Sequence, residues 1–222
     1  MTPPDLSEAP GALRFVLLYG SHAHGTAGPT SDEDWRGVFQ LPTDTILGLR
    51  RPRETWERKP DIVLWELGQF ARLLLGGNPN IVGMLWAPDD VIIHIDGAAL
   101  RLREMRERFI TRRMVSAYLG WVHTELKVGT ALTGKRASHL LRLLWELDGA
   151  LTEGAIPVRL PEERRRTVVA VKRGNLDVSV ALARTRTELE RIDALARSMD
   201  LPEPPEEEVN AIVVAARWEA PW

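Results

Sequence analysis

The sequence predicts an α+β fold, a small mixed β-sheet lobe followed by an α-helical C-terminal lobe, and three observations carry that reading. Short apolar or alternating runs punctuated by Gly, Pro and Asp crowd the first 96 residues. From Leu67 the apolar period turns helical, and after about Gly97 only helical patterning remains. Third, the apolar run Leu17-Leu18-Tyr19 ends in Gly20-Ser21, and a loop later Asp32-Glu33-Asp34 opens a second run. Its outer carboxylates are spaced i, i+2, which a strand sets on one face.

Taken in order, a flexible Pro-rich start (1–13) leads into a sheet-bearing core (14–96), a helical lobe (97–200) and a Pro-rich segment with a final helix (201–222). Residues 14–19 read as a buried strand, with Gly20-Ser21 opening a turn or short helix, and 32–40 as a second strand. Leu41-Pro42-Thr43-Asp44 stops it and caps a brief helix to about Leu47. Residues 54–57 and 61–65 read as strands joined tightly through Arg58-Lys59-Pro60. A helix then runs from Leu67 to Gly76-Gly77, and Asn78-Pro79 starts another, since Asn caps well and Pro fits the first helical position. Residues 91–95 make one more strand. Helices follow at about 98–108, 111–128, 135–153, 161–173 and 176–199, with Leu201-Pro202-Glu203-Pro204-Pro205 interrupting before 209–218.

Composition narrows the function. With 222 residues the chain builds one good core or two small ones sharing an interface. There is no cysteine, which removes disulfides and thiolate metal sites. No apolar stretch is long enough to span a bilayer, and the first residues lack a basic start and an apolar signal core, so a cytoplasmic protein without a membrane partner is expected. A net charge of -2 gives no global pull on nucleic acid, so any polyanion site is local.

Asp32 and Asp34 lie at the start of the second strand, and two close carboxylates repel unless a cation neutralises them. Asp61 opens a later strand that, if adjacent, brings a third carboxylate to the pair; Glu66, near the end of the same strand, is the alternative. Such oxygen ligands suit two Mg²⁺ ions, with Mn²⁺ as a substitute, clamping the attacking and leaving oxygens of a phosphoryl displacement. An acidic turn capping a strand is the plain alternative. Gly20 permits close backbone approach, and amides with the Ser21 hydroxyl can hold phosphates. No Walker sequence follows, so a P-loop NTPase is not supported. His22 and His24 form a His-x-His pair, too few ligands for a zinc hydrolase in this chain. Lys135, His139 and Arg142, spaced i, i+4, i+7, share one helix face, either a cationic wall of a cleft or a solvated stripe. Arg36 is placed to brace the carboxylates by ion pairing, and Trp35 and Trp65 stand near enough to stack a base.

The order Gly-Ser, loop, Asp-x-Asp, later carboxylate resembles the nucleotidyltransferase superfamily that includes DNA polymerase β. More closely, residues 20–39, 61–86, 134–147, 171–175 and 201–205 resemble the predicted nucleotidyltransferases associated with RNA repair and RNA ligases, the RlaP or YcgL-type family. The resemblance implies a polymerase β-like core in 14–96, with Gly20, Ser21, His22, Arg36, Lys135, His139 and Arg142 on the nucleotide and its phosphates and Asp32, Asp34 and Asp61 as metal-binding and catalytic residues. It implies an NTP substrate and transfer of NMP to a hydroxyl with release of pyrophosphate. The family's association with RNA ligases points to an RNA 3′ end; a protein hydroxyl or a small molecule is the other acceptor class. A non-catalytic nucleotide- or partner-binding module of the same fold is the rival reading. The chain departs from the family pattern at His24, usually aromatic, and at Gly83, often glutamate.

Overall fold

The protein is described by a computed structural model that covers residues 4–59, 61–127 and 132–219. Pro60, in the tight connection predicted between two strands, and Val128, the predicted end of a helix, lie outside the described residues.

Five strands form one mixed sheet: β1 (Ala12–Leu18), β2 (Trp35–Gln40), β3 (Thr55–Arg58), β4 (Ile62–Glu66) and β5 (Ile92–Ile95), in the spatial order β3-β4-β2-β1-β5. Only β2 and β4 run parallel; the other neighbours are antiparallel. Strand β1 is apolar on both faces because both are covered. Phe15 and Leu17 enter the main core, whereas Val16 and Leu18 join Trp35, Phe39, Ile62 and Leu64 in a smaller cluster on the opposite face. Leu6 and Ala9, placed in the flexible start by the sequence, pack against that smaller cluster.

The helices are α1 (Gly20–Ala23), α2 (Thr43–Leu47), α3 (Leu67–Leu75), α4 (Pro79–Leu85), α5 (Gly97–Glu104), α6 (Arg112–Leu126), α7 (Gly134–Glu153), α8 (Glu162–Lys172), α9 (Val178–Arg197) and α10 (Glu206–Glu219). Asn78 caps α4 as its sequence predicts, its side chain accepting from Asn80 N–H at 3.1 Å. Helix α7 is the axis of the helical part. Its core-facing Leu140, Leu143, Leu144 and Leu147 are buried, and α6, α8 and α9 pack around it. One apolar cluster runs from Phe15 and Val38 through Phe70 and Tyr118 to Leu144 and Ile192, so the sheet and the helices share a core. Among the described residues, no helix is long and apolar enough to cross a membrane.

Two expectations need correction. The second strand begins at Trp35 rather than Asp32, leaving Asp32 exposed in the preceding loop. Glu66 is not a rival third carboxylate. Strand register pairs Phe39 with Glu66 at the far end of β2, where Glu66 caps α3 through Gly68 N–H and ion-pairs with Arg217 of α10. Helix α10 is thereby fastened to the sheet: Gln40 Nε2 donates to Ala216 O at 2.7 Å, Thr43 Oγ1 to Arg217 O at 2.7 Å and Arg217 Nη1 to Leu41 O at 3.2 Å. With both side chains of the ion pair largely buried, Arg217→Ala is expected to cost about 3 kcal/mol by stranding the Glu66 charge. Urea denaturation should show more than half of that loss recovered in the double variant with Glu66→Gln, and a purely additive double variant would refute this account.

Candidate nucleotide-binding site

The site is built at the C-terminal end of β1. The last rung between β1 and β2 is a backbone hydrogen bond from Tyr19 N–H to Asp34 O, 2.7 Å, which sets the turn at Gly20 directly against Asp34. Gly20 has φ +55°, and a Cβ there would stand 2.2 Å from Asp34 Oδ2. Glycine is required on both counts. Helix α1 begins at this turn and ends within one turn, its last N–H groups bonded back to Tyr19 and Gly20.

A cavity of about 790 Å³ opens between this turn and the helices. Gly20, Ser21, Asp32, Asp34 and Arg36 line it from the sheet side, and Lys135, His139 and Arg142 of α7 from the helical side. Separate segments of the predicted set therefore meet at one space. His22 does not line it; its ring Nε2 is buried without a hydrogen-bond partner. Asp61 does not line it either. It stands level with Asp34 on the neighbouring strand, its carbonyl accepting from Trp35 N–H at 2.9 Å and from Arg36 Nη1 at 3.0 Å. The strand predicted from Asp61 begins at Ile62, and Asp61 sits in the turn before it; Val63 and Trp65 of β4 line the cavity.

Arg36 braces this end of the sheet. One nitrogen bonds the carbonyls of Trp35 and Asp61, and the other reaches Asp34 Oδ1 at 3.2 Å. Asp34 Oδ2 and both oxygens of Asp32 receive no hydrogen bond from the described residues. Oxygen-only donors with unclaimed lone pairs fit a hard divalent cation. Among the described residues, no three His, Asp or Glu side chains gather closely enough to ligate one ion.

On the helical wall, Arg142 is buried and its charge is compensated. It ion-pairs with Glu146 one turn along α7, and its Nη2 donates to His139 Nδ1 at 2.7 Å. Burial and the adjacent guanidinium push the His139 pKa down to about 3, which keeps that ring a neutral acceptor. His24 is likewise held well below the usual histidine range by burial and then by Arg142. Its Nδ1–H donates to Val158 O at 3.0 Å, and its ring meets Tyr19 edge-on at 5.3 Å. An aromatic ring at position 24 would keep this edge contact. The departure at Gly83 also has a cause, since a Cβ there would stand 2.2 Å from the Tyr19 hydroxyl.

Sequence reasoning missed Trp121, Glu125, Arg136 and Lys172, all on the cavity wall. Trp121 and Glu125 are one turn apart on α6, Arg136 forks onto Glu125 at 2.9 and 3.0 Å, and Trp121 meets His139 edge-on at 6.1 Å. Lys172 lay in one of the family-like segments and was legible there. Of the two tryptophans proposed to stack a base, Trp65 lines the cavity, whereas Trp35 is buried in the small cluster on the opposite face.

A mixed sheet that ends in a Gly-Ser turn over an Asp-x-Asp segment, beside helices that line the cavity, is consistent with the DNA polymerase β-like nucleotidyltransferase superfamily. Within it, the chain belongs to the RNA repair pathway DNA polymerase beta family, RlaP, whose model matches residues 7–202. It is also 29% identical over 120 residues to an uncharacterized 38.9 kDa protein from the nrdC-mobD intergenic region of Enterobacteria phage T4. That match covers 48% of this chain and 35% of the phage protein, so the chain spans about a third of its relative's length. No solved structure matches.

The buried imidazoles generate a pH prediction. A histidine whose folded pKa is depressed binds fewer protons in the native than in the unfolded state, so stability falls as pH drops below about 6.5, by up to about 1.4 kcal/mol per pH unit per ring. His24→Phe keeps the edge contact with Tyr19 and removes one of the two rings. Its urea midpoint should drop at pH 7 by about 1 kcal/mol equivalent for the lost Val158 bond, and then decline less steeply than the parent between pH 6.5 and 5. Glu146, pushed up by burial, titrates in the opposite sense, and because its Oε1 lies 3.5 Å from His24 Nδ1 the comparison is repeated on a Glu146→Gln background. Parallel declines would refute the assignment.

Proposed function

We propose that the protein is a metal-dependent nucleotidyltransferase that transfers NMP from an NTP to a hydroxyl, with an RNA 3′ end as acceptor. The observation that carries this reading is the meeting of the Gly20-Ser21 turn and the Asp32 and Asp34 carboxylates at the mouth of one cavity whose opposite wall is cationic. Asp32 and Asp34 at the cavity, joined by Asp61 once its carboxylate turns toward the pair, would hold two Mg²⁺ ions, or Mn²⁺, which would supply the charge stabilisation that phosphoryl transfer chiefly requires.

The chain's own residues do the rest. The Ser21 hydroxyl and the backbone at Gly20 cradle the terminal phosphates, and Lys135 faces them across the cavity. Arg36 holds Asp34 in place, and Trp65 offers an apolar face to the base. The acceptor oxygen bonds to the α-phosphorus, the bond from that phosphorus to the bridging oxygen breaks, and pyrophosphate leaves. The hydroxyl proton would pass to the Asp61 carboxylate, which has to turn toward the cavity to receive it. The RNA acceptor rests on the family's stated role in RNA repair.

Incubation with Mg²⁺, α-labelled NTPs and RNA bearing a free 3′ hydroxyl should move label to the RNA. Asp34→Ala should lower the rate at least ~10³-fold and Gly20→Ala about 10²-fold, because the new methyl displaces the Asp34 carboxylate. Asp61→Asn should lower it about 10²-fold with folding intact; full activity in that variant would remove Asp61 from the catalytic set. Nucleotide binding with no transfer to RNA, protein or small hydroxyl acceptors would establish the binding module instead.

A further inference from the structure

Most arginines around the cavity are neutralised in place. Arg36 holds Asp34, Arg136 holds Glu125 and Arg142 holds Glu146, and beside the loop at Gly25 Arg159 holds Asp90. Lys135, Arg165, Lys172 and Arg173 make no ion pair among the described residues; Arg165 lies near the start of α8, Lys172 ends that helix and Arg173 follows it. Lys135 and Lys172 line the cavity, and the Lys172 charge is near enough to depress the His24 pKa. Arg165, Val168 and Lys172, at i, i+3 and i+7, share one face of α8, and Val168 also lines the cavity. The face therefore looks toward the site.

Arg165 and Arg173 lie outside the cavity, against the loop that joins Ser21 to Asp32. A Cβ on Gly25 would stand 3.3 Å from Arg165 Nη1, and one on Gly28 would stand 3.4 Å from Arg173 Nη2. The cations thus continue from inside the cavity to the outside along one helix and the loop beside it. Arg165 and Lys172 are separated by about 10 Å along the helix axis. An anion confined to the cavity meets Lys135 and Lys172; only one that extends past its mouth also meets the two arginines.

We propose that Arg165 and Arg173, continuing the line begun by Lys172, form a phosphate track that holds the sugar-phosphate backbone of a single-stranded acceptor whose terminal hydroxyl enters the cavity. The proposal rests on the nucleotidyl-transfer reading above. Two guanidinium groups with unclaimed donors match phosphate oxygens in planar, bidentate fashion. A chain of phosphodiesters threads such a track and presents one end to the site.

The test is the salt dependence of binding to a labelled single-stranded RNA with a free 3′ hydroxyl, read by fluorescence anisotropy without NTP, beside calorimetric binding of ATP. Each phosphate contact contributes about 0.7 to the slope of log affinity against log salt, so Arg165→Ala/Arg173→Ala should flatten the slope by about 1.4. ATP affinity should stay within about two-fold of the parent's on the same account. Arg166→Ala, whose side chain ion-pairs with Glu162, should leave the slope unchanged. An unchanged slope in the double variant, an equal weakening of ATP, or RNA binding absent while an acidic peptide binds through the same two residues would each overturn the track. A protein that transfers nucleotide with no slope effect loses only the track. One that shows the slope effect and transfers nothing loses only the nucleotidyl-transfer reading.

Discussion

The hydrogen bond from Tyr19 N–H to Asp34 O is the constraint on which the site depends. It closes the β1–β2 ladder at the place where the first strand must turn away and the second must begin, so one contact fixes both the phosphate-side turn and the carboxylate. Tyr19 is held from several sides at once: its ring by His24, its hydroxyl by the space left at Gly83 and its backbone by Asp34. Arg36 extends the same constraint sideways to the strand that carries Asp61. The turn is rigid because three elements over-determine it.

Charge is distributed by a simple division. Groups that packing forces out of water are matched in place, as Arg142 is by Glu146 and Glu66 is by Arg217, and the two nearby imidazoles stay neutral. Groups at the cavity mouth are left unmatched: Asp32 on one wall, Lys135 and Lys172 on the other. The first set organises the wall without adding net charge to it. The second leaves opposite signs facing each other across a wet space, where a metal-bound polyanion finds partners for both of its parts.

Much of this was legible in the sequence. The strand, turn and carboxylate pattern of residues 14–40 depends on local periodicity, glycine and charge spacing, and the start of α4 depends on Asn78 beside it. Strand register was not legible, because it is decided by which strands pair across the sheet. Glu66 ends β4 and Asp61 directly precedes it, and only the parallel pairing with β2 tells which of them lies beside Asp34. Arg142 showed the complementary difficulty. Its spacing from Lys135 and His139 was plain, but its ion pair with Glu146 is one of several partners the helix permits, and burial decides among them. Trp121 carried no local signal separating a cavity wall from an ordinary half-buried face.

The fastening of α10 to the sheet has a kinetic side. Glu66 caps α3 early in the chain, but its countercharge, Arg217, comes 151 positions later. At about 5–20 residues per second of synthesis, the carboxylate waits roughly 8–30 s for that partner. During this interval the strand end carries an uncompensated charge at what will become an interior position, which disfavours closing the core around it. Closing that end of the core before α10 docks therefore costs more than closing it afterwards, because until then the carboxylate has only the backbone N–H groups of Leu41 and Gly68 as partners.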